Sequence, residues 1–240
     1  MPAATAGSSA LARALHAGGF GVAIVDMSQF YMAAGSGAND TNDANAAANI
    51  DAAVEALHRA VRSLDSGVPP VAIAHGLGAS LAQAYLESYA LSGLAMLAPL
   101  HPDPRVTLGR WAPSLETAPP ASAAAALAAA FLAASATCGG SSGVALTPAA
   151  AAGAAALALS LPKVLLEPSP VPLLGLRGAH DAWCSTSDLA AVAAHHGLGE
   201  REARSLGGAA AADYDVGFSG EAERGVVLKD ALLEWILGRF

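Results

Sequence analysis

The sequence predicts an α/β fold in which a mostly parallel sheet is flanked by helices, and three observations carry that prediction. Short β-branched apolar runs alternate with stretches whose apolar residues recur at helical spacing. The run Val71-Ala72-Ile73-Ala74-His75 breaks at Gly76-Leu77-Gly78 and passes straight into a helix-forming segment. Strand, tight turn and helix therefore follow without a loop. The first hundred or so residues read helix, strand, helix, strand, helix, strand. Right-handed crossovers turn such an alternation into parallel strands covered on both faces.

Taken in order, Ser8 or Ser9 caps a helix whose apolar face is Leu11, Ala14 and Leu15, ending at Gly18-Gly19. Phe20 to Met27 reads as a buried strand centred on Val22, Ile24 and Val25. Residues 33–49, rich in Ala, Gly, Asn and Asp, read as a loop. Ile50, Val54, Leu57, Val61 and Leu64 then form one helical stripe, closed by Gly67-Val68-Pro69-Pro70. Beyond the turn at Gly76, Leu81 to Leu91 reads as helix and Gly93 to Pro99 as a short buried strand.

Residues 101–168 interrupt this rhythm with Pro119-Pro120, an alanine helix, Gly139-Gly140-Ser141-Ser142-Gly143 and a second alanine helix. Thr147 caps that second helix and Pro148 takes its first position. The segment reads as a helical insertion. The sheet resumes at Val171 to Leu176 and ends at Arg177-Gly178-Ala179-His180-Asp181. A helix from about Ser187 to His196, a weak strand near 203–206, a loop at 213–220 and an amphipathic helix bearing Val227, Leu228, Ala231, Leu232, Trp235 and Ile236 complete the chain.

A length of 240 residues suits one domain, with residues 101–168 as an insertion within it. The hydrophobic fraction of 54% is largely alanine, and the charged fraction is only 13%. So charge-poor an exterior marks either a GC-rich genome or a chain that lies against other proteins. The net charge of -8, with Lys163 and Lys229 as the lysines, argues against nucleic acid or an anionic membrane surface as partner. Cys138 and Cys184 stand far apart without metal-ligand spacing, which indicates a soluble chain in a reducing intracellular compartment. Cytoplasm, chloroplast and mitochondrion are not separated by these features. The alanine runs at 121–136 and 148–161 fall short of the roughly 20 strongly apolar residues of a membrane span. The first 25 residues carry Arg13 and no acid, like an organellar presequence, but their pattern is better explained as part of the fold.

Read whole, the chain resembles the α/β-hydrolase superfamily, and within it the plant and algal branch of small esterase-like proteins. The strand-turn-helix at Val71–Ser80 is similar to the nucleophile elbow GxSxG, in which a strained turn lifts a serine from the end of the sheet. On that pattern Ala74 takes the first glycine, His75 the next position, Gly76 the serine, Leu77 the next and Gly78 the last glycine. Gly19-Phe20 through Asp26 resembles the family strand that ends in aspartate, and Ala98-Pro99 the end of the strand after the elbow helix. The insertion stands where the family carries its lid. Gly178-Ala179-His180-Asp181 resembles the turn holding the catalytic acid, and Asp213-Tyr214-Asp215-Val216 the segment that usually reads Gly-His-Asp-Met.

The resemblance implies a truncated α/β-hydrolase fold with a degenerate triad. A triad needs a nucleophile, a histidine to take its proton and an acid to orient the histidine. Here the three positions hold Gly76, Tyr214 and Asp181. Glycine has nothing to acylate, and a tyrosine with a pKa of about 10 is a poor base at neutral pH. The chain also begins at the helix after the strand whose loop supplies half of the family's oxyanion hole.

Other candidates have ordinary readings. His75 reads as a buried structural residue, Ser80 as a core residue one helical turn past Gly76, and Asp181 as a turn residue. His180, His195 and His196 lack a partner at metal-ligand spacing. Gly76-Leu77-Gly78 lacks the third glycine of a dinucleotide fingerprint, since Leu81 stands there. The expectation is a catalytically inactive hydrolase-like subunit of a stable protein assembly, without cofactor, metal or membrane span. The alternatives are a serine esterase or lipase whose chemistry uses other residues, and a module holding a small apolar ligand at the elbow pocket of His75, Gly76, Leu77, Gly78 and Ser80.

Overall fold

The computed structural model describes residues 8–25, 43–64, 67–111, 120–138, 147–160, 168–178, 181, 184–206 and 224–240. Among them the chain is α/β, built on a four-stranded sheet whose neighbouring strands are all parallel. Its strands are β1 (Val71–His75), β2 (Gly93–Leu97), β3 (Leu173–Gly178) and β4 (Ala203–Leu206), and they lie in sequence order. Register is level at the carboxyl ends, with His75 opposite Leu97, Leu97 opposite Leu176, and Leu176 opposite Arg204.

The central strands read as continuous apolar runs because both of their faces are covered. Every residue of β2 and β3 is buried. Alternation sends Ala95 and Leu97 of β2 into one cluster and Leu94 and Met96 into another. Leu94, Met96, Leu97, Leu174 and Leu176 are fully buried. Each contributes about 2 kcal/mol relative to an exposed position.

Helices α1 (Ser8–Ala17) and α8 (Arg224–Arg239) pack on each other over the first face, where Leu15 joins Leu228, Leu232, Trp235 and Ile236. Helices α2 (Asp43–Arg62) and α3 (Leu77–Ser88) hold a further cluster of Ile50, Val54, Leu81 and Tyr85. The expected stripe of α2 is used at Ile50, Val54, Leu57 and Val61, while Leu64 lies beyond the end of the helix and is exposed. Within the 101–168 segment stand α4 (Pro104–Trp111), α5 (Pro120–Cys138) and α6 (Pro148–Ser160). Alanine lets α5 and α6 pack closely, with Leu127, Ala155 and Ala158 at their contact. Leu157 of α6 belongs to the Ile50–Tyr85 cluster, so α6 is packed into the body of the protein. Its start is the expected one: Ala150 N–H donates to Thr147 Oγ1 at 3.2 Å.

The sequence reading differs from the structure in several places. Residues 20–25 carry no regular secondary structure and pair with no strand among the described residues, and Val22 and Ile24 are exposed, against the expected buried strand. A strand needs a neighbour as well as β-branched residues. Helix α2 begins at Asp43, inside the expected loop, because Ala44, Ala46, Ala47 and Ala48 outweigh the intervening asparagines. The helix after β1 begins at Leu77 rather than Leu81, directly at the turn. Helix α4 was not anticipated.

Candidate functional site

The candidate site lies where β1 meets α3, at the carboxyl edge of the sheet, where ligands of open α/β sheets bind. Gly76 closes the strand at φ 54° and ψ -121°, a backbone conformation that L side chains rarely adopt. Its N–H donates to Leu97 O at 2.9 Å, which ties the turn to the end of β2. Its carbonyl accepts from Ala79 N–H at 3.0 Å and so opens the helix. A Cβ placed on Gly76 or on Gly78 would meet nothing within 4 Å. The turn is sharp, strained for any side chain, and open to space.

The residues around Gly76 divide by exposure. His75 is exposed, which corrects the expectation of a buried structural histidine. It ends β1, whose other residues are half-buried. Leu77 is half-buried and packs toward α5 and α6. Gly78 is buried, and Ser80 is only 3% exposed, enclosed among the core residues of α3. Ser80 therefore stands where its ordinary reading put it.

The expected acid lies two strands away at the same edge of the sheet. Neighbouring strands are spaced by about 4.8 Å, so the ends of β1 and β3 are roughly 10 Å apart. Beyond the end of β3, Asp181 N–H donates to Gly178 O at 3.2 Å, and Asp181 Oδ1 accepts from Cys184 N–H at 3.0 Å. These bonds make Asp181 a turn-forming residue in the described geometry. Tyr214, His180 and the Asp213–Val216 segment lie outside the described residues, as does Asp26.

Three features of this edge escaped sequence reasoning. Ala98, just beyond β2, has φ 47°, and its N–H donates to Leu176 O at 2.8 Å. Two consecutive strand ends thus carry left-handed residues, and backbone strain of this kind collects at functional sites. Arg177 is only 6% exposed; its Nε donates to Cys184 O at 2.9 Å and its Nη1 to Thr186 Oγ1 at 3.0 Å. An arginine in a run of leucines was a readable signal for such an anchor. The third feature is the pair formed by Arg110 of α4 and the fully buried Asp188 of α7 (Thr186–His196).

Asp188 also completes a capping box with Ser185, whose Oγ accepts from Asp188 N–H at 3.1 Å while Ser185 N–H donates to Asp188 Oδ2 at 2.8 Å. Burial alone would raise the Asp188 pKa. The Arg110 guanidinium and the Ser185 donors outweigh it and hold the carboxyl below its ordinary value.

The remaining titratable groups have structural explanations. Cys184 is fully buried, and burial, with Asp181 and Asp188 nearby, pushes its thiol up to about 12. Such a thiol is a poor nucleophile. His196 Nδ1 accepts from Ser169 N–H at 3.2 Å, and burial, helped by His195, lowers its pKa to about 4. Among the described residues no three His, Cys, Asp or Glu side chains are grouped to hold a metal, and no helix is long and apolar enough to cross a membrane. The described edge thus offers a glycine turn of positive φ, open space beside it and an acid about two strands away. Comparison of the chain with protein-family models, with curated proteins and with solved structures finds no match among them.

Proposed function

We propose that this chain is a catalytically inactive α/β-hydrolase-like protein that serves as a structural or docking subunit of a larger protein assembly. The observation that carries the reading is Gly76. It holds the place of the nucleophile in a strand-turn-helix of positive φ, and it offers no atom to acylate. On the same resemblance the base position is Tyr214, so the proton-accepting histidine is replaced as well. The carboxylic-ester chemistry of such proteins is the activity given up. A sheet kept without its chemistry leaves binding surfaces as what the fold supplies, and the charge-poor composition suits a chain that lies against others.

The test is the size and composition of the native species, by gentle extraction, native separation and mass spectrometry, with a fluorophosphonate serine probe applied to the same sample. The reading expects a stoichiometric complex and no labelling of this chain. A free monomer, or a labelled serine, defeats it.

The open space beside Gly76 favours a second reading, a module that holds a small apolar ligand. Saturable binding of an ester or lactone probe that is lost on Gly76→Trp would replace the docking reading with this one.

A further inference from the structure

We draw no further inference here: the strongest candidate, the side-chain cluster between α2 and α3 in which His58 stacks on Tyr89, His58 Nδ1 hydrogen-bonds the Tyr85 hydroxyl at 3.2 Å and the Tyr89 hydroxyl donates to Glu55, is accounted for as a contact that joins the two helices, and nothing in the structure shows a ligand for it.

Discussion

At the scale of single residues, Gly76 states its own prediction. Its φ of 54° suits glycine, while its surroundings leave space for a larger side chain. The cost of Gly76→Ser is therefore backbone strain without a steric clash, about 1 kcal/mol in urea unfolding. The variant should stay folded and, on the proposed hydrolase-like reading in which Tyr214 replaces the base, remain unlabelled by a serine probe. Labelling would reveal a proton acceptor that the sequence does not announce. The turn itself was legible because β-branched residues run into two glycines within three positions. The exposure of His75 was not. Whether the last residue of a strand is covered depends on how far the flanking helices reach, and that is a property of the packed molecule.

At the scale of elements, α7 shows how much of a helix is local. Ser185 and Asp188 form the reciprocal cap, and Gly197 ends the helix at φ 67° with its N–H donating to Ala193 O. All of this stands within thirteen residues, and the helix was expected from Ser187 to His196, within a residue of its observed start. Ser185→Ala should cost about 1 kcal/mol of global stability, measured by thermal or urea unfolding. Ser185→Asp, which restores a cap acceptor but places it beside Asp188, should recover less than Ser185→Thr. The Arg110 pair on that same Asp188 spans a separation of 78 residues, and no local pattern announces it. The same contrast explains residues 20–25. They are as rich in β-branched residues as β1, three of six against two of five, yet among the described residues only β1 has a neighbouring strand, since pairing is decided by the rest of the sheet.

At the scale of the whole molecule, acid stability follows from the groups that the fold keeps neutral or paired. Among the described residues His196 is the histidine whose titration the fold moves, through burial helped by His195, and its Nδ1 accepts the Ser169 N–H. Its pKa in the folded protein is lowered to about 4, against an ordinary value of about 6.5. Between those values the unfolded chain binds a proton at this residue that the folded chain refuses. Stability therefore falls as pH drops from about 6.5 to about 4, and is insensitive to His196 above that window. Asp188 acts lower on the scale. Its folded pKa lies below the ordinary carboxylate value, so its contribution is complete above that value and is lost as pH falls through the folded one. His196→Asn separates the two, since an amide oxygen can accept the Ser169 N–H without titrating. Urea midpoints measured from pH 7 to about pH 3 should decline less steeply in this variant than in the parent across the His196 window. The two profiles should regain a common slope below the His196 window, where carboxylates such as Asp188 titrate alike in both proteins. A parent profile that is flat between pH 6.5 and 4 would show that the His196 ring is reached by solvent and that burial does not hold it neutral.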